Sequence, residues 1–215
     1  DAGVSINFSA DDLRDSELIE LVAQGLNLWR VPPENVTVEL TETAIMDNRS
    51  DTLNILYKLK DMGLKLAMDD FGTGYSSMAR MLNLPLDEVK IDMIFVKHMT
   101  THHTHHQVVD SMINLAHRLN LSVVAEGVED IATYERLQVL GCDIIQGYLI
   151  GKAMPLADLI AATDGNPTTL APYTEITTNL RDLVMARMAT FPPPPPRAGG
   201  PGAPGAPGAG PAAPG

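Results

Sequence analysis

The chain has 215 residues, with 15 Lys plus Arg against 27 Asp plus Glu, a formal net charge of -12. Such acidity excludes a surface built to grip DNA or RNA by its phosphates, while a small phosphorylated ligand can still bind where a metal ion supplies positive charge. The lone Cys142 excludes an internal disulfide and fits a reducing, cytoplasmic setting, and no apolar stretch approaches the ~20 residues that cross a bilayer.

Strand-like apolar runs begin at Val4, Val36, Lys65, Val89, Val123 and Ile144, separated by 32, 29, 24, 34 and 21 residues. Each gap has room for a crossover helix, so the strands are expected to run parallel. VTVEL and SVVAE are almost continuously apolar, as in strands covered on both faces. Val4–Phe8 reads as a strand from the outset, so the chain is expected to begin inside a fold.

The helices announce themselves in turn. Ser9 precedes Leu13, Leu18, Leu21 and Val22, with Asp12 placed to return a capping bond. Leu53, Leu56, Leu59 and Met62 form a stripe that stops at Gly63. Val108, Val109, Met112, Leu115, Ala116 and Leu119 form another, ahead of Asn120. Asp130 caps a helix that runs to Leu140 and ends at Gly141. Shorter helices are expected near Ser77–Leu82 and Leu156–Ala162. Beyond Thr163 a turn-rich stretch leads to a helical stripe over Asn179–Phe191. The tail, 192–215, is rich in Pro, Gly and Ala and is expected to be disordered or loosely polyproline-like. The expected division is 1–163, 164–191 and 192–215.

Repeated β/α units predict an α/β fold, either an open doubly wound sheet or most of a barrel. Each strand leads to an Asn, Asp, Glu or Gln: Asn7, Glu39, Asp69, Asp92, Glu126 and Gln146. In parallel α/β folds those ends share one face, where ligands bind. Several carboxylates at matching depth repel one another and are costly to desolvate. They form either a structural network or a site for a hard divalent cation, since every donor is oxygen. Asp69 and Asp70 are adjacent, so a bend is needed for both to reach one site. With such a bend, the pair suits two neighbouring ions, an arrangement used to hydrolyse phosphodiesters. Lys90 lies two residues before Asp92 and shares its face. It either pairs with the carboxylates or orients an attacking water or a phosphate oxygen.

NFSADDL, ELTETAIM, DDFGTGYSS, KIDMIFV, AEGVED and QGYLIGKAMP occur in that order. Together they resemble the EAL-domain family of bacterial cyclic di-GMP phosphodiesterases, over about residues 1–163. The resemblance implies a TIM-like (β/α)8 barrel with one antiparallel strand. It implies hydrolysis of cyclic di-GMP to linear pGpG with two Mg2+ or Mn2+ ions. Asn7, Glu39 and Asp69 would hold the first ion, and Asp69, Asp70 and Glu126 would serve the second. Lys90 would position the water, with Glu126 as the family's general base. Asp92 and Gln146 would complete the site, and Glu42 would steady the loop after the Asp pair. Glu129 would have a supporting role. The family's Glu-Ala-Leu motif lies upstream of NFSADDL and has no match in this chain. One or two barrel strands are therefore expected to be missing from the front, leaving this piece weakened or inactive. The resemblance also implies a homodimer and an upstream sensor or GGDEF domain, with no membrane contact from this segment.

An inactive EAL domain that senses cyclic di-GMP or docks proteins is the rival reading. Cleavage to pGpG separates the two. His98, His102, His103, His105 and His106 cluster after KIDMIFV. His102 and His106 have a spacing that would suit zinc on a helix, though a solvated loop and helix start is the preferred reading. Arg80 falls in the short helix after the DFGTG turn, a region that serves the ligand pocket and dimer contacts in the family.

Overall fold

Strands form where the apolar runs predict them. The computed structural model describes residues 3–45, 50–73, 81–156, 158–159 and 175–176. In chain order the strands are β1 (Val4–Phe8), β2 (Val36–Thr41), β3 (Lys65–Phe71), β4 (Glu88–Ile91), β5 (Ser122–Ala125), β6 (Ile144–Ile145) and β7 (Glu175–Ile176). The helices are α1 (Leu18–Trp29), α2 (Glu42–Ile45), α3 (Ser50–Asp61), α4 (Met93–Val96), α5 (His103–Arg118) and α6 (Ile131–Leu140), with 3-10 turns at Asp12–Arg14 and Pro33–Asn35.

The sheet order is β6-β5-β4-β3-β2-β1-β7. All the described pairings are parallel. Neighbours in sequence are neighbours in space from β1 to β6, as in the arc of a β/α barrel. The two-residue β7 beside β1 was not expected from the turn-rich sequence before Asn179. The predicted helix over Asn179–Phe191 and the tail lie outside the described residues. So do Arg80 and most of the Ser77–Leu82 helix.

Period-two alternation sorts the side chains. Val36, Val38 and Leu40 of β2, Leu66 and Met68 of β3, Val89 and Ile91 of β4, and Val123 and Ala125 of β5 join one core. Leu56 and Leu59 of α3, Val109, Ile113 and Ala116 of α5, and Leu137 of α6 complete it. Truncating a fully buried leucine such as Leu56 or Leu59 to alanine costs about 2–5 kcal/mol. The alternate positions carry a different chemistry: Asn7, Thr37, Glu39, Ala67, Asp69, Glu88, Lys90 and Ser122. Among the described residues Lys90 is the largest fully buried side chain, only 1% exposed. A polar interior behind an apolar outer wall is what places the site.

Local signals set the element ends. Asp130 accepts from the Thr133 amide at 2.8 Å and caps α6, and Gly141 ends it in the left-handed region at φ 79°. Ser9 and Asp12 do exchange capping bonds, Ser9 N to Asp12 at 2.7 Å and Asp12 N to Ser9 Oγ at 3.2 Å. They close the 3-10 turn, however, and α1 starts only at Leu18. Asp87 ties the lower ends of the strands: it accepts from Leu66 N at 2.8 Å and pairs with Lys60 at 2.7 Å.

Candidate active site

Parallel register lines up the polar positions. Asn7 of β1 lies opposite Glu39 of β2, and Glu39 lies opposite Ala67 of β3. Thr41 lies opposite Asp69. Lys90 of β4 lies opposite Val124 of β5, and Glu126 follows the end of β5 with its amide bonded to Ile91 O at 3.1 Å.

Lys90 is the hub. Its Nζ donates to Glu39 Oε2 at 2.7 Å, pairs with Glu126 Oε1 at 2.7 Å and lies 3.3 Å from Asp69 Oδ1. Burial opposes charge on the amine, but Glu39, Glu126 and Asp69 outweigh it and raise its pKa well above the usual lysine range. One ammonium is thus shared among three carboxylates. That sharing leaves Glu126 undercompensated. Burial pushes it up to about 7 despite Lys90, with Asp69 and Glu39 adding to the rise.

The adjacent aspartates are brought together by a bend. Asp70 sits at φ 57°, in the left-handed region that Asp tolerates better than most residues. The β3–β4 register shifts between Met68 and Phe71 at the same place, the signature of a bulge. The Asp70 pKa is raised, first by burial, then by the charge of Asp69 and by a side-chain hydrogen bond with Asp92. Asp92 also caps α4, accepting from Ile94 N at 2.6 Å.

Glycines shape the rim. Gly72 has φ 93°, and a Cβ there would stand 2.0 Å from Met112 Cε. Its amide donates to Glu42 Oε2 at 3.3 Å, so a buried carboxylate anchors the turn after the Asp pair. At Gly147 a Cβ would lie 2.3 Å from Val128 O and 2.4 Å from Val128 N. That close approach locks the loop after Gln146 to the loop after Glu126, through Val128 N to Gln146 O at 3.1 Å and Leu149 N to Val128 O at 3.0 Å. Glu129 lies farther along, paired with Lys97 at 2.9 Å.

The donor set fits a hard divalent cation. Glu39, Asp69 and Glu126 meet around one ammonium, with Asp70 beside Asp69 and hydrogen-bonded with Asp92, so the cluster is net negative and offers oxygen donors only. Among the described residues no three His, Cys, Asp or Glu side chains already converge on an ion position. The Lys90 Nζ stands at the point where three of the carboxylates meet. Asn7 lies opposite Glu39 in the β1–β2 register, and Gln146 follows β6 with its amide bonded to Ala125 O at 2.9 Å. Counting from the apolar onset Val89 passes over Glu88, which is buried on the Lys90 face. Its spacing of two before Lys90 is the signal that locates it.

The EAL-domain family profile matches residues 1–153. The cyclic di-GMP phosphodiesterase RocR of Pseudomonas aeruginosa is 39% identical over 152 residues, 71% of this chain and 39% of that protein. The structure of the Pseudomonas aeruginosa MucR phosphodiesterase in complex with c-di-GMP is 36% identical, covering 73% of this chain and 64% of that one at a TM-score of 0.70. The Klebsiella pneumoniae BlrP1 structure with manganese and cyclic di-GMP is 29% identical, covering 70% of this chain and 38% of that one at a TM-score of 0.66. The chain spans about a fifth of the length of several curated relatives it matches. With six ordered motifs, a parallel β/α arc and a family match over most of its length, the chain belongs to the EAL-domain family.

Proposed function

We propose that this domain hydrolyses one phosphodiester bond of cyclic di-GMP, opening the ring to linear pGpG. The observation that carries the reading is the Lys90 hub, with Glu39, Asp69 and Glu126 within 2.7–3.3 Å of one amine. Relatives 35–39% identical to this chain include named cyclic di-GMP phosphodiesterases.

Asn7, Glu39, Asp69, Asp70 and Glu126 would hold two Mg2+ or Mn2+ ions. Bound, the ions would supply Lewis-acid charge for the phosphoryl group and for water. Lys90 would turn an N–H toward the attacking water and hold its position against the carboxylates. Glu126, whose carboxyl pKa burial raises in the metal-free chain, would act as the general base that the family resemblance implies. Asp92 and Gln146 would complete the pocket wall. Glu42, through Gly72, and Glu129, through Lys97, would fix the loops that carry the ligands. The oxygen that leaves phosphorus takes up a proton, so one water is consumed per ring opened.

We place the domain in a bacterial cytoplasm, within a longer regulatory protein that carries a sensor or GGDEF partner and acts as a homodimer. Residues 164–191 and 192–215 would be appendages outside the catalytic unit. Among the described residues no helix is long and apolar enough to cross a membrane. The test is to incubate the full-length protein with cyclic di-GMP and Mg2+ or Mn2+. Appearance of pGpG that stops on chelation supports the reading. Tight binding with no product would replace it with a sensor.

A further inference from the structure

The histidine-rich stretch after α4 folds into an arrangement that its sequence spacing does not suggest. His102 is extended, at φ -122° and ψ 115°, and stands at the N-cap of α5. Its carbonyl accepts from His106 N at 3.2 Å, the first bond of the helix. The rings that meet are those of His98, His102 and His105. Their centroids are 5.6 Å (98 to 102), 5.5 Å (98 to 105) and 5.6 Å (102 to 105) apart, with interplanar angles of 82°, 80° and 56°. The triangle is nearly equilateral.

We propose that His98, His102 and His105 form a site for a borderline divalent cation of the Zn2+ type, at the turn joining α4 to α5. Three imidazoles at a tetrahedral zinc ion have Zn–N bonds of about 2.0–2.1 Å, which places their ring centroids about 5 Å apart. The observed triangle is only slightly wider. A second, independent feature points the same way. The Nδ1 of His105 is shut off from solvent and has no hydrogen-bond partner among the described residues. A buried nitrogen left so is costly, and a metal bond would satisfy it.

Thr101 sets the form of the His102 ring. Its hydroxyl donates to His98 O at 3.3 Å and lies 2.9 Å from His102 Nδ1. With its proton directed to that carbonyl, the hydroxyl accepts from Nδ1–H. The tautomer so fixed leaves Nε2 of His102 with a free lone pair, as a liganding imidazole requires. The three donors do not yet converge, so binding requires the rings to turn. His98 and His102 are exposed, and exposed side chains reorient in picoseconds to nanoseconds. The positive end of α5 opposes the cation, which tunes the affinity down without removing the ligands. Nitrogen donors select against Mg2+ and for Zn2+, Co2+ or Ni2+, so the site is chemically distinct from the carboxylate cluster and shares no residue with it.

The experiment titrates Co2+ into chelator-treated full-length protein in excess Mg2+, which occupies the oxygen ligands. Visible absorption from tetrahedral cobalt is followed, then displaced with Zn2+. Wild type is expected to show it, and His98→Ala and His102→Ala each weaken it about 10-fold or more. His105→Ala does the same, and His117→Ala leaves it unchanged. Far-UV circular dichroism confirms that the exposed-ring variants fold. No cobalt band in wild type would overturn the site. So would equal affinity in wild type, His98→Ala and His102→Ala, which would leave the triangle as edge-to-face ring packing.

Discussion

Lys90 Nζ and Glu39 Oε2 stand 2.7 Å apart, on strands two positions apart in the sheet, with both side chains almost wholly out of solvent. A buried pair of this kind is weak evidence of stabilisation in itself, because desolvation offsets the attraction. Removing one partner is a different matter. Without the ammonium, Glu39, Asp69 and Glu126 face one another uncompensated. Lys90→Met, which keeps the volume and drops the charge, is expected to destabilise the metal-free protein by about 3–5 kcal/mol. Denaturant unfolding measures this. Added Mg2+ or Mn2+ should recover part of the loss, because the ion replaces the missing positive charge. A loss below about 1 kcal/mol would show that the carboxylates do not depend on the amine.

Glu88 provides a pH signature at a residue outside the proposed ligand set. Burial raises it to about 7, with Glu39 adding to the rise and Ser122 and Lys90 opposing it. Its folded pKa lies above the unfolded value near 4.5. The folded state thus holds the proton more tightly. The contribution to stability is fully present below about pH 4.5 and is lost as pH rises through about 7. Glu88→Gln removes that loss. At pH 8 the variant should exceed wild type by about 1–3 kcal/mol, and near pH 4.5 the two should nearly coincide. A constant difference across that range would contradict the assignment.

Gly147→Ala tests the lock between the loops after β5 and β6. The new Cβ would meet the Val128 backbone at 2.3–2.8 Å, at a φ of 157°. Backbone cannot yield as a side-chain end can. The variant is expected to lose about 1–3 kcal/mol, and its turnover should fall further than its stability, since the loop it locks in place follows Glu126. Thermal unfolding and pGpG formation, measured together, decide it. Equal losses in the two would reduce the lock to a folding element.

Much of this arrangement is legible in the sequence, because strand periodicity is local. The onset at Val36 puts Glu39 inward, and Val123 does the same for Glu126. Asp130 and Gly141 mark α6 correctly, since capping needs only neighbours. Adjacent Asp69 and Asp70 call for a bend, but the left-handed φ at Asp70 depends on how β3 meets β4. The Ser9–Asp12 exchange is local too, yet whether it caps an α-helix or a 3-10 turn is settled by packing. The His98, His102 and His105 grouping depends on the turn over 97–101, which no periodicity describes. Glu88 is overlooked when the strand is counted from its first apolar residue, although its spacing from Lys90 already gives its face.

The oxygen cluster around Lys90 is proposed to bind the catalytic ions. Calorimetric titration of Mn2+ into full-length wild type and Asp69→Asn protein, with His98→Ala present in both, tests it most directly. Saturable binding is expected in the first and at least a ~10-fold weaker constant in the second. Equal Mn2+ affinity in the two proteins would contradict it.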